Sequence, residues 1–330
     1  MARRAMLAAA VLALLGLAVV CQVESAVPAA APRPAAAAPS AAPAPTVIEG
    51  MPAGVLRPAN PCKPGEVPES VKRSGQTFAL NIAPRDHAPE HPPEGWCGEV
   101  AVQEALLFHG AYLPQKVINA AGRPKHPDLY SDEIPTALRN LGAAFQVCGQ
   151  ESRDFTPFLA WMTACLEQST PVLIGVKINP TKHPEWGLDH FMLAVGRTPD
   201  SLVYNTTWGK QETRTTTLLF SSEEGFSFKN RSNAYYGIAI AGLGRAEEGG
   251  ATVGLFVTKE DAKQMAVIVK CANLQPKARY VAYKVSLLDQ KKAKPLAVFV
   301  AAEMTYGFRD TIPTGEPTIY RCRRVAGPQG

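Results

Sequence analysis

The chain has 330 residues, with 34 Lys and Arg against 29 Asp and Glu for a formal charge of +5. That length suggests two domains and leaves ample chain for a sizeable core. The near balance of charge, with no Lys/Arg block interleaved with aromatics, argues against nucleic acid as a partner.

Residues 1–25 read as a secretory signal peptide. Arg3 and Arg4 give a basic start, Met6 to Val20 is an apolar run of h-region length, and Val23-Glu24-Ser25 offers a cleavage site. The run is too short for a stable membrane span. Cys21 raises a lipid-anchor reading, but Val20 places a branched residue where a small one is wanted. The expected location is secreted, periplasmic or at the cell surface. Residues 26–73 read as an Ala/Pro-rich disordered linker, with too little apolar surface to offset its ordering entropy. Proline keeps such a segment extended.

The folded body is expected to begin at 74, with a short strand at Thr77 to Leu80 and a proline-rich loop from Asn81 to Glu94. The next stretch, EGWCGEVAVQEALLFHGAY, organises the rest. Ala101, Ala105 and Phe108 share a helical face with Cys97, Glu99 falls in the first turn, and Gly110 lies where a stop is expected. Cys97 therefore opens a mostly buried helix. The unpaired N–H groups and aligned dipoles there favour an anion, and thiolate is the nucleophilic form of cysteine.

Further helices are expected at Leu113 to Ala121, Asp132 to Leu141 and Thr156 to Gln168, with a strand at Phe145-Gln146-Val147. Strands follow at Pro171 to Val176, His190 to Gly196, Ser201 to Tyr204, Arg214 to Leu219 and Tyr235 to Ala241. Helices first and strands after imply α+β with two segregated layers. Ala246 to Gly250 marks a boundary. Beyond it, runs at Thr252 to Thr258, Met265 to Cys271, Tyr280 to Leu287, Ala297 to Met304 and Thr318 to Val325 suggest a β-sandwich over 250–330. That unit is either a binding module, for example for a cell-surface ligand, or a structural cap.

Export permits disulfides. After cleavage at Ser25 the cysteines are Cys62, Cys97, Cys148, Cys165, Cys271 and Cys322, an even count. They could form three bridges, or leave Cys97 as a thiol with one other unmatched. Cys271 and Cys322 lie in strand-like segments of one region and are the favoured pair; Cys148 and Cys165 are a weaker one.

A cysteine nucleophile needs a base within hydrogen-bond reach and a third group to orient it. His190 follows Asp189 and opens the apolar strand HFMLAVG, and Asn205 closes the next strand in VYNTTWG. A tight turn at 197–200 brings the two strands side by side, so Asn205 is expected to accept from the imidazole, with Trp208 shielding that bond. In these segments the chain resembles the papain-like cysteine peptidases. LDHFMLAVG and YNTTWG are similar to the histidine strand and the asparagine–tryptophan segment, the latter with one extra Thr. WCGEVAVQEAL resembles the bacteriocin-processing branch.

The resemblance covers roughly 74–245 and implies a helical lobe packed on an antiparallel sheet. It implies Cys97 as nucleophile, His190 as general base and acid, and Asn205 as orienter, acting on a peptide or protein substrate. Trp96, Asp189 and Trp208 are assigned to the cleft wall. The family places a glutamine oxyanion donor six residues before the nucleophile; here that residue is His91, with Gln76 and Asn81 as remoter alternatives. The C-terminal region resembles a fibronectin type III or immunoglobulin-like domain.

Other readings of the same residues stand beside this one. Asn205-Thr206-Thr207 and Asn230-Arg231-Ser232 are glycosylation sequons, and a glycan on Asn205 is incompatible with a triad. His87, His91 and Cys97 supply only three clustered ligands for zinc, so no metal is expected. His109, His126 and His183 read as helix-end or loop residues, and Trp161 and Trp186 as core or cleft wall. No cofactor motif is present. The alternatives to a peptidase are an acyl or amide transferase on the same triad, and a catalytically silent surface-binding protein.

Overall fold

A computed structural model describes residues 77–87, 95–125, 127–148, 155–179, 181–182, 184–216, 235–243, 250–287 and 293–325. The signal peptide, the linker, Cys62, Gln76, His91, His126, His183, the Asn230 sequon and most of the 246–250 boundary lie outside the described residues. Among the described residues, no helix is long and apolar enough to cross a membrane.

The architecture is mixed α+β, and every strand pairing is antiparallel. The chain runs β1 (Phe78–Ala79), α1 (Cys97–Phe108), β2 (Ala111–Tyr112), α2 (Gln115–Gly122), α3 (Ile134–Asn140), β3 (Ala143–Val147) and α4 (Phe155–Glu167). It continues β4 (Val172–Val176), β5 (His190–Arg197), β6 (Ser201–Asn205), β7 (Gln211–Thr215) and β8 (Tyr236–Leu243). The first sheet has the order β3-β8-β4-β5-β6-β7, with β1 also paired to β5.

β4 and β5 are buried along their whole length, because both faces of the sheet are covered. Strand alternation sends Phe191, Leu193 and Val195 into a core with α1, α2 and α3, while Met192 and Ala194 enter a second core with Phe158, Trp161 and Met162 of α4. The expected two segregated layers are therefore corrected: α4 lies on the opposite face from the other helices.

The remaining strands are β9 (Thr252–Glu260), β10 (Gln264–Ala272), β11 (Arg279–Ser286), β12 (Lys294–Val300), β13 (Tyr306–Pro313) and β14 (Thr318–Val325). They form one sheet of order β13-β10-β9 and another of order β12-β11-β14-β2. β13 was not expected from the sequence. The last strand of the second sheet, β2, comes from the N-terminal half, so the two halves share a sheet. Tyr112 of β2 is fully buried and donates to the Thr314 carbonyl at 2.7 Å. Leu107 and Tyr112 pack with Leu255, Met265, Val267 and Ile312 in a common core. At this junction Gly110 has φ of 77°, and a Cβ there would lie 2.9 Å from the Val253 carbonyl oxygen. Glycine meets both demands at once.

None of the described cysteines is bridged. The expected Cys271–Cys322 link is present as two neighbouring buried thiols in hydrogen-bond contact rather than as a bond. The contact with Cys322, together with burial, holds the Cys271 thiol far above its ordinary pKa. Cys148 and Cys165 share the α4 core without a bridge.

Candidate active site

α1 is buried from Gly98 to Leu107, including Glu99, Gln103 and Glu104. It lies between the main sheet and β9, which explains why apolar residues surround it rather than forming one stripe. Trp96 precedes it in the left-handed region at φ 55°, and no side chain caps its first turn. Gly95, at φ 90°, continues that reversal; a Cβ on it would lie 2.7 Å from Asp128 Cβ. These two residues swing Cys97 onto the start of the helix, where it is half-buried. The N–H groups of that turn are the ones a helix leaves without internal partners.

The helix start sits on the beginning of β5. A Cβ on Gly98 would lie 3.4 Å from Phe191 Cδ2, so the residue after Cys97 touches the residue after His190. The His190 ring is buried, stacked on Trp208 at 4.3 Å between centroids and 6° between planes. Trp208 is 43% exposed, so it covers the imidazole on one side and faces solvent on the other. Burial pushes the His190 pKa down to about 3, against a hydrogen bond to the Thr206 backbone that raises it; the nearby His87 lowers it further. The imidazole is neutral at physiological pH.

The side chain against the imidazole differs from the expectation. Thr207 Oγ1 lies 3.2 Å from His190 Nε2, and the Thr206 backbone also bonds the ring. Thr207 is fully buried at φ 61°. A β-branched residue in that region is strained, and such strain persists only where the surroundings enforce it.

Asn205 does not orient the imidazole. Its amide donates to the Ile82 carbonyl at 3.2 Å and to Glu104 Oε2 at 3.3 Å, and its carbonyl accepts from Gln211 at 3.0 Å. Glu104 is seven residues beyond Cys97, roughly 10 Å along the helix. The reason is register: Leu193 pairs with Asn205, so continuing the ladder brings His190 beside position 208, not 205.

Two cleft-wall assignments are also corrected. Trp96 is buried and donates its indole N–H to the Pro127 carbonyl at 2.7 Å. The Asp189 side chain is 1% exposed and pairs with Lys177 at 3.4 Å. Its carboxylate accepts from the N–H groups of Ile178 and Asn179 at 2.7 and 3.0 Å, which fixes the chain entering His190.

Glu99 lies in the first turn, as expected, and is buried. It accepts from Leu129 N–H at 3.0 Å and Asn119 at 2.8 Å, and burial raises its pKa to about 7. Among the described residues no group of His, Cys, Asp and Glu could hold a metal.

A cavity of about 550 Å³ lies elsewhere, between the loop at 81–86, α1 and β9, and neither Cys97 nor His190 lines it. Sequence reading missed its central residue, Arg85. The Arg85 side chain donates to Gln103 Oε1 at 2.7 Å and to both Glu260 oxygens at 3.0 and 2.9 Å. Its backbone N–H donates to Glu104 at 2.6 Å, and its carbonyl accepts from Gly209 N–H at 2.9 Å. No sequence pattern announces such a residue, since its partners are 18 to 175 positions away. Comparisons with family models, with curated proteins and with solved structures give no match.

Proposed function

We propose that the protein is an exported papain-like cysteine hydrolase that cuts a peptide or related amide bond through a thioester on Cys97. The observation that carries the reading is a half-buried cysteine opening a helix beside a strand that begins with a buried imidazole under a tryptophan. A free thiol is mostly protonated at neutral pH and needs a base. A neutral imidazole is in the form that can take the proton, and because burial lowers its basicity, the thiolate beside the ring must stabilise the imidazolium that forms.

In the proposed cycle a ring N–H of His190 faces the Thr206–Thr207 backbone and hydroxyl, which leaves the other nitrogen to accept from Cys97. The sulfur attacks the carbonyl carbon, and His190 then gives the proton to the leaving amine. Water, deprotonated by the same imidazole, releases the acid and restores the thiol. Trp208 keeps solvent from one face of the ring. The backbone N–H groups of the first helical turn are suited to the oxyanion. The orienting pair in this proposal is Thr206 and Thr207 in place of Asn205.

Incubation of the mature protein with a mixed peptide library, followed by mass spectrometry, tests this. New termini and an acyl adduct on Cys97 are expected, both lost in Cys97→Ala. An added amine distinguishes hydrolysis from transfer. Cleavage that survives Cys97→Ala would refute the proposal.

A further inference from the structure

The two halves of the molecule meet at a charged contact whose other end reaches the imidazole. Glu260 closes β9, in the C-terminal half. Both of its carboxylate oxygens accept from one guanidinium nitrogen, Arg85 Nη2, at 3.0 and 2.9 Å, with 8% and 25% of the side chains exposed. Arg85 Nε donates to Gln103 Oε1 at 2.7 Å as well, and the two contacts together fix the guanidinium in direction. The Arg85 carbonyl holds the Gly209 N–H at 2.9 Å. Gly209 follows Trp208, the ring stacked on His190. Around the same segment, Gln115 holds the Asp86 carbonyl at 3.1 Å, and the next residue, His87, is close enough to lower the His190 pKa. Three contacts and one peptide bond thus link the C-terminal half to the base: Glu260 to Arg85, Arg85 to the Gly209 amide, and Trp208, bonded to Gly209, over His190.

We infer that Glu260 is a positioning residue: through Arg85 it fixes the Trp208–Gly209 turn against His190, so that the C-terminal half is part of the catalytic apparatus. The inference rests on the proposed cysteine-hydrolase reading for its effect on rate, but not for its structural half. A purely structural ion pair would be expected to change stability and little else. This one, when broken, frees the turn that holds the imidazole, and misplacement of a catalytic group by about 1 Å costs up to 10²-fold in rate. The adjoining 550 Å³ cavity is lined by Arg85, Glu260 and Gly209, so a small cation can enter where the guanidinium is removed.

The test uses the full mature chain and three variants: Glu260→Gln, Arg85→Lys and Arg85→Ala. Hydrogen exchange at the Gly209 amide is the structural readout. Alkylation of Cys97 by iodoacetamide, mapped by mass spectrometry, and kcat/KM are the chemical ones. Glu260→Gln is expected to speed Gly209 exchange at least tenfold and lower kcat/KM about tenfold, with KM nearly unchanged. Arg85→Lys is expected to fail to restore the rate, and millimolar guanidinium to rescue Arg85→Ala several-fold.

Unchanged Gly209 exchange in Glu260→Gln overturns the inference, and so does faster exchange with unchanged kcat/KM. If the wild-type protein neither alkylates rapidly at Cys97 nor cleaves peptides, the hydrolase reading fails. Gly209 exchange then still decides whether Glu260 holds the turn.

Discussion

Glu104 gives the sharpest quantitative test of the interior. Its carboxyl is fully buried in the middle of α1, between the Arg85 N–H and the Asn205 amide. Burial raises its pKa from 4.5 to about 8, although both hydrogen bonds and the Arg85 charge pull the other way. The sign follows from linkage. Between pH 4.5 and 8 the folded state keeps a proton that the unfolded chain has lost, so stability falls as pH rises. Summed from pH 5 to pH 8, the difference in proton binding amounts to about 3.5 kcal/mol, at 1.36 kcal/mol per pKa unit. Glu104→Gln removes the ionisation and keeps the shape. The variant should therefore gain about 3.5 kcal/mol on the native protein over that interval, read by urea unfolding at pH 5, 6, 7 and 8. A stability difference that is flat across these four values would refute the reasoning.

Other expectations follow from the same geometry. Asn205→Ala strips a donor from Glu104 and an acceptor from Gln211, and should lower stability by about 2–4 kcal/mol with kcat/KM within about threefold. Thr207→Val deletes only the hydroxyl facing His190, so it should lower kcat about tenfold or more at near-native stability; the opposite ranking of the two would return the orienting role to Asn205. Tyr112→Phe leaves the Thr314 carbonyl unmatched and should cost about 1–3 kcal/mol. Tyr112→Ala should cost about 3–5 kcal/mol, with fluorescence and far-UV circular dichroism reporting one common transition because the halves share a sheet and a core. In an oxidising medium Cys271 and Cys322 should join, read as a 2 Da loss by intact mass; thiols that resist a mild oxidant would contradict their adjacency.

Much of the scaffold was legible because strong local signals agreed with the tertiary structure. The expected helix opening at Cys97 exists because Gly95 and Gly110 punctuate a run with helical spacing. The strand at His190 exists because an apolar stretch follows a charge that is clamped by its neighbours. What stayed hidden depended on pairings that length and composition do not carry. β2 is two residues long and is held as a strand only by β14, more than 200 positions later. The position of α4 was invisible because the period of its apolar stripe is the same whichever sheet face it covers.

The side chain beside the imidazole differs from the expected one for a countable reason. The extra Thr in YNTTWG lies beyond Asn205, the last paired residue of β6, and the register of β5 and β6 carries an irregularity between Ala194 and Gly196. Counting back from Trp208 would have selected Thr206. The buried partners of Glu99 and Glu104 were not legible, because nothing in a 12-residue window reveals that both sides of a helix are covered.

The measurement closest to the heart of the account is the alkylation rate of Cys97 at pH 6 in the native protein and in His190→Ala. An imidazole that takes the thiol proton predicts rapid modification that falls by about 10² or more when the ring is removed. Equal rates in the two proteins would mean that sulfur and imidazole do not work together, and the proposed chemistry would fall with them.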